Sequence, residues 1–204
     1  VLFRSLPPEF RAAASAPAAV PFNEDLYFGK LSWTPGEEHL VELTLKRREE
    51  DEITNVGNGP NTAERATVKT GEETRADLRW QYSTADWLND AHITFEDANF
   101  APQPLTLANG IRLLIPREGQ EAQNNPDMDE VLNLGGGGDF QSKGQKGMSF
   151  QNDLTFFGLE GHTIKTGIKY KKIDISAFEQ SPFSPQFHYD ILRDTSVPYY
   201  VQFT

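Results

Sequence analysis

The residues from Val41 to Arg48 alternate strictly between apolar and polar side chains, and this pattern limits what the chain can fold into. The odd positions carry Val41, Leu43 and Leu45, and the even positions carry Glu42, Thr44, Lys46 and Arg48. A helix would scatter these residues around its axis, whereas a β-strand places them on opposite faces of a sheet. The pattern therefore predicts a two-sided strand. Either its apolar face covers a core and its charged face meets water, or its apolar face meets lipid.

The same alternation recurs along the chain and predicts an all-β protein. Six strands are predicted, at residues 26–34, 39–50, 74–82, 91–97, 148–156 and 162–178. Two shorter strands are predicted at 186–192 and 198–203. Period-two patterns of this regularity are typical of half-buried antiparallel strands. The alternation slips at Lys171 and Lys172, which predicts a bulge or the end of burial there.

Short and long connections alternate between the predicted strands. Short turns lie at 35–38, 83–89 and 158–161, and long links at 51–73, 98–146 and 180–185. Compact soluble domains rarely contain such long links, whereas outer-membrane barrels have short turns at one end and long loops at the other. Aromatic residues beside the short turns match the girdle of a bilayer interface: Trp33, Tyr82, Trp87 and Phe157. We therefore expect an antiparallel up-and-down meander, forming part of the wall of a transmembrane β-barrel.

In that arrangement the charged face of the strands would line a wet interior. The residues expected to face this lumen are Glu42, Lys46, Arg48, Arg75, Asp77, Arg79, Asp153, Lys165 and Lys169. A basic residue facing the lipid midplane would cost about 2 to 4 kcal/mol. These bases could guide an anionic ligand. The alternative, which we favour from the sequence, is that they pair with the acids on neighbouring strands.

Composition and motifs exclude several other classes of protein. The formal charge of −11 is unsuited to nucleic-acid binding, and the absence of cysteine rules out disulfides and thiolate metal sites. No stretch approaches the roughly 20 apolar residues of a membrane helix. The glycine run at 135–138 lacks the lysine of a phosphate loop, and residues 124–130 lack the spacing of a calcium loop. We expect no catalytic, cofactor or metal site, and hence no enzyme.

Two segments resemble a known family of membrane proteins. Residues 26–53, LYFGKLSWTPGEEHLVELTLKRREEDEI, and 158–191, beginning GLEGHTIKTGIKYKK, are similar to barrel strands of TonB-dependent outer-membrane receptors. The resemblance implies a plugged barrel of about 22 strands in a bacterial outer membrane, in contact with lipid. It implies uptake of a siderophore, cobalamin or oligosaccharide, with the ligand meeting the loops at 51–73 and 98–146. It also implies energy coupling to the TonB protein through a plug, for which this sequence contains no matching segment.

The sequence divides into three parts under this interpretation. Residues 1–5, VLFRS, resemble a translated sequencing-adapter tail and are expected to be a scar. Residues 6–24 are expected to be a loop or linker, and 25–204 an incomplete barrel segment. The alternatives are a soluble all-β carbohydrate-binding module and, less favoured, an outer-membrane barrel enzyme. The soluble module requires a second sheet about 10 Å from the apolar face, whereas a barrel wall leaves that face uncovered.

Overall fold

A computed structural model describes residues 8–14, 19–57, 59–117 and 128–203, and the chain is all-β apart from one short helix. The helix α1 spans Pro8–Ala14. The strands are β1 Phe22–Gly36, β2 His39–Thr54, β3 Thr67–Ser83, β4 Trp87–Pro104, β5 Gly110–Pro116, β6 Met128–Gly135, β7 Phe140–Leu159, β8 His162–Gln180, β9 Gln186–Asp190 and β10 Tyr200–Gln202. Both α1 and the start of β1 fall within the range 6–24, which the sequence predicted to be a loop or linker.

Six long strands form one antiparallel sheet in the order β1-β2-β3-β4-β7-β8. The predicted meander is confirmed, and all three short turns lie at the same end of the sheet. In the described part of the chain the sheet does not close into a barrel, and β1 and β8 are its two edges.

The strands extend well beyond the residues that alternate. β4 has 18 residues and β7 has 20, and nearly half of the predicted link at 51–73 is paired strand, since β2 ends at Thr54 and β3 begins at Thr67. Beyond Leu45 both faces of β2 become polar, so periodicity no longer reveals the strand. The backbone ladder continues regardless, because its hydrogen bonds do not depend on side-chain polarity.

Three further details of the sequence prediction are corrected. The β7–β8 register runs unbroken past Lys171 and Lys172, so of the two predicted causes of the slip a bulge is wrong, and the irregularity lies between Phe156 and Leu159 instead. The predicted loop at 98–146 contains the end of β4, both β5 and β6, and the start of β7. The last two strands, β9 and β10, are shorter than predicted.

The short turns are staggered along the strands from one hairpin to the next. The last paired residues are Gly36 and His39, then Ser83 and Leu88, then Leu159 and His162. His39 lies opposite Tyr82, and β3 continues to Ser83, so the second turn begins one residue beyond the first. Leu88 lies opposite Thr155, and β7 continues to Leu159, so the third turn begins four residues beyond the second. The first and third turns are therefore offset by five residues. This offset is about 16 Å along the strands over about 19 Å across them. If the turns lie in one plane, the strands tilt by about 40° from its normal, within the range of barrels.

A second sheet of four strands lies beyond the long-loop end, in the order β10-β9-β5-β6. β5 and β9 are parallel, and the other neighbours are antiparallel. Its strands carry the main buried apolar cluster of the described chain, formed by Leu113, Leu132 and Leu134. The core therefore lies in this loop sheet, while the larger sheet has no comparable core.

Candidate functional site

One face of the six-stranded sheet is apolar and uncovered. Its central row contains Leu31, Leu43, Leu78, Ile93, Phe150 and Tyr170. Leu43 is 37% exposed, Leu78 45% and Ile168 65%. The covering layer that a two-sheet sandwich requires is absent from the described residues. On β2, Leu43 and Leu45 are exposed while Glu42 and Lys46 on the opposite face are half-buried. This is the reverse of the arrangement in a water-soluble sheet.

The apolar face forms a band across the sheet. On β7 it runs from Met148 to Phe156, which is about 26 Å along the strand and about 20 Å along the normal at the tilt of about 40°. At the loop end the band stops at polar residues on the same face: Arg47, Asp97, Lys146 and Lys172. At the turn end it stops at aromatic rings, where Trp87 and Phe156 have centroids 4.4 Å apart. An apolar band of about 25 Å with aromatic borders is typical of membrane barrels.

All nine residues predicted to face a lumen lie on the opposite face. Glu42 lies opposite Arg79, and Lys46 opposite Arg75, across β2 and β3. Lys169 lies in the same row as Arg79, because Lys169 is opposite Gln151, Gln151 is opposite His92 and His92 is opposite Arg79. The register therefore brings the predicted set together on one surface, which we call the charged face.

Arg79 is the centre of the charged face. Its Nε and Nη2 donate to the two carboxylate oxygens of Asp90 at 2.8 and 2.5 Å. Its Nη1 donates to Glu42 at 3.3 Å, and Glu42 also receives Lys30 Nζ at 2.7 Å. Paired, bidentate contacts of this kind fix both side chains more firmly than a single ion pair does. The network thus links β1, β2, β3 and β4.

His92 extends this network along β4. Its Nε2 lies 3.1 Å from Asp90 and its Nδ1 lies 3.3 Å from Asp77. Thr94 donates to the second oxygen of Asp77 at 2.7 Å. The predicted pairing of charges across strands is therefore confirmed for Glu42 with Arg79, whereas Asp77 is held by a histidine and a threonine.

The β7–β8 side of the charged face is less completely paired. In the described part of the chain Lys165 and Lys169 make no ion pair, and Asp153 accepts a hydrogen bond from Gln151 at 2.6 Å. Lys171 reaches Glu96 on β4 at 2.7 Å. Free cations therefore lie on the hairpin furthest from β1.

The sequence prediction missed Asp90, and also Glu73, whose carboxylate Oε2 lies 3.5 Å from Lys46 Nζ. Asp90 lies two residues before His92 on β4, and Glu73 lies two residues before Arg75 on β3, so each shares a face with a residue of a predicted strand. Starting each predicted strand one residue earlier, at Asp90 and at Glu73, would have placed both on the charged face. Their signal was present, but the predicted strand ends excluded it.

A polar cavity of about 410 Å³ lies where the loop end of the larger sheet meets the loop sheet. Its lining side chains include Asn55, Asn61, Arg112, Glu130, Asp139 and Gln202. Thr67 and Pro104, which pair at the loop end of β3 and β4, form part of its wall. Six separate segments contribute, so no local sequence motif marks this cavity.

A buried polar centre supports one wall of the cavity. Gln186 is fully buried, and its Oε1 receives both Nη1 and Nη2 of Arg65 at 3.1 Å. Arg65 also donates to the carbonyls of Leu134 and Gly136, at 3.2 and 2.9 Å. Burial, and then the charge of Arg112, lowers the pKa of Arg65. Arg65 is thus committed to holding the loop at 134–136 in place.

His188 on β9 is the other buried titratable group beside this wall. It is 8% exposed, and its Nε2 has no hydrogen-bond partner in the described chain. Its ring packs edge-on against Tyr200, with centroids 5.0 Å apart. Burial, with a smaller effect of Arg112, lowers the pKa of His188 to about 4. The imidazole is therefore neutral at pH 7.

The described residues contain no group of three or more His, Asp or Glu side chains placed to hold a metal ion. The sequence segment 124–130 lies largely outside the described residues. No helix in the described ranges is long and apolar enough to cross a membrane. Comparisons with protein-family models, curated proteins and solved structures give no match.

Proposed function

We propose that the chain forms part of the barrel wall of a TonB-dependent outer-membrane transporter that takes up a large, scarce nutrient. The observation that carries this proposal is the uncovered apolar band, about 20 Å high at the inferred tilt, on the back of a charged face whose central ions pair with one another. Water disfavours an exposed apolar band of this extent, whereas hydrocarbon of about the same thickness would solvate it.

Two further features support the proposal. The stagger of the turns gives the tilt of about 40° that a closed barrel needs. The open edges at β1 and β8 present ladders that only further strands can satisfy within a membrane, because lipid offers no hydrogen bonds. The six strands would then be one sector of a larger ring. The ligand would be a siderophore, cobalamin or oligosaccharide, and the TonB protein would supply energy through a plug.

The three tryptophans of the chain test this proposal directly. Trp33, Trp80 and Trp87 all lie on the apolar face. Trp87 is the first residue of β4, and Trp80 lies about four residues deeper along the neighbouring strand, or about 10 Å along the membrane normal at the inferred tilt. In vesicles containing lipids brominated at successive acyl positions, bromine near the headgroup should quench Trp87 most. Bromine deeper in the chain should quench Trp80 most.

Single-tryptophan variants with phenylalanine at the other two positions make the depths separable. Acrylamide, a water-soluble quencher, serves as the control on the same samples. If acrylamide quenches all three tryptophans and brominated lipid quenches none, the apolar band does not contact hydrocarbon and the transporter proposal fails.

A further inference from the structure

We propose that the polar cavity at the loop end of the charged face binds a neutral, hydroxyl-rich ligand such as an oligosaccharide. This inference rests on the proposed transport function and narrows its substrate to one chemical class. The cavity volume of about 410 Å³ falls in the range of small-molecule sites. It would take one or two sugar units of a longer ligand.

The charges in the cavity cancel one another. Arg112 Nη1 donates to Glu130 at 3.0 Å, so each neutralises the other. Asp139 accepts the hydroxyl of Ser181 at 2.5 Å, and Arg65 is occupied by carbonyl and amide oxygens. Two cations face two anions in the lining. A strongly anionic iron chelate would meet Glu130 and Asp139 without a free cation to compensate for them.

The remaining lining groups both donate and accept hydrogen bonds. Asn55, Asn61 and Gln202 each carry an amide with two donors and an acceptor oxygen, and Thr67 carries a hydroxyl. Sugar hydroxyls also donate and accept, so they match such a surface. Apart from two prolines, no apolar or aromatic side chain lines the cavity within the described chain. A flat aromatic ligand would therefore lose its hydration without gaining packing.

The place of the cavity in the fold fits a route of entry. Thr67 and Pro104 share the face of Arg79, because both lie in phase with it on β3 and β4. The cavity is therefore continuous with the loop end of the charged face. In the proposed barrel this is the mouth of the interior, where a ligand from outside would first be held.

Gly138 allows the cavity to be filled selectively. A Cβ added at Gly138 meets no atom within 4 Å, and the backbone there does not require glycine, so a side chain can leave this position without a clash at its first atom. Gly138→Trp should occupy part of the cavity, and Gly138→Ala is the matched control that leaves it open. Gln202→Leu provides a second test, since it removes a polar group that makes no hydrogen bond within the described residues.

The experiment is calorimetric titration of the full chain in detergent micelles. The probes are maltohexaose, cellohexaose and xylohexaose as neutral ligands, with oligogalacturonate and ferric citrate as anionic ones. We expect at least one neutral probe to bind, Gly138→Trp or Gln202→Leu to weaken it about tenfold, and Gly138→Ala to change it less than twofold. Circular dichroism checks that each variant is folded.

Three results would overturn the inference: no neutral probe binds, an anionic probe binds more tightly, or both folded cavity variants bind as well as the parent chain. These outcomes are separate from the tryptophan depth measurement. Sugar binding without lipid contact would keep the cavity assignment and reject the barrel, and lipid contact without sugar binding would do the reverse.

Discussion

Replacing Ile93 by arginine separates a lipid-facing sheet from a water-facing one. Ile93 is 46% exposed and lies in the central row of the apolar face. If water covers this face, an arginine at a half-exposed site should change the free energy of unfolding by no more than about 0.5 kcal/mol. If hydrocarbon covers it, the cost should be about 2 to 4 kcal/mol. A cost of about 2 to 4 kcal/mol corresponds to roughly 30-fold to nearly 1,000-fold in the unfolding equilibrium constant.

The matched control is Asn99→Arg on the same strand and the same face. Asn99 is exposed and lies six residues nearer the loop end, which in the proposed barrel is about 15 Å further along the membrane normal. Arginine there should cost about 0 to 1 kcal/mol. The assay is urea unfolding of the chain folded in lipid vesicles, followed by tryptophan fluorescence. If the two variants differ by less than about 0.5 kcal/mol, the apolar face is not in hydrocarbon.

Two further outcomes test the charged face and the loop sheet. A double-mutant cycle of Arg79→Met and Asp90→Asn should give a coupling energy of about 1 to 2 kcal/mol in urea unfolding, because it removes a bidentate charged hydrogen bond; additive effects would contradict that pairing. For His188 the native pKa of about 4 lies below the ordinary value of 6.5, so the unfolded state binds the proton first as the pH falls. The parent chain should therefore lose up to about 3 kcal/mol of stability relative to His188→Phe between pH 6.5 and 4; parallel pH profiles for the two proteins would be inconsistent with a neutral buried imidazole.

Periodicity predicted the middle of each long strand but not its ends. Within the band, Val41, Leu43 and Leu45 contrast with charged neighbours, so the strand is visible in the sequence. Beyond the band the residues at 47–52 are charged on both faces, as expected if both faces meet water there in the proposed barrel. Polar side chains therefore occur at odd and even positions alike, and the backbone pairing of the strands continues without an alternating pattern in the sequence. The order of the strands followed from turn length, because short turns force antiparallel neighbours.

The loop sheet could not be predicted for a different reason. The apolar stretch Ile111 to Ile115 was visible, but its partners are β6, which runs into a glycine-rich turn, and β9, which lies far along the chain. Parallel pairing of remote segments leaves no local signal. The cavity has a similar origin, since Gln202 reaches Glu130 through the β5–β9 pairing, and Asn61 is brought there by its bridge to Asn133 on β6. The charged face, in contrast, was predictable because strand phase alone determines it.

The parallel pair of β5 and β9 also sets an order of folding. Gly110 lies opposite Gln186, so the whole β7–β8 hairpin lies between the two strands in the chain. Closing a flexible loop of that length costs about 4 kcal/mol of chain entropy, before any contribution from packing. Docking of the hairpin onto β4 shortens the distance that must be closed. We therefore expect β9 to pair with β5 late in folding, after the β7–β8 hairpin has docked. Until then Leu113 and Leu132 lack the packing that the β9 segment supplies.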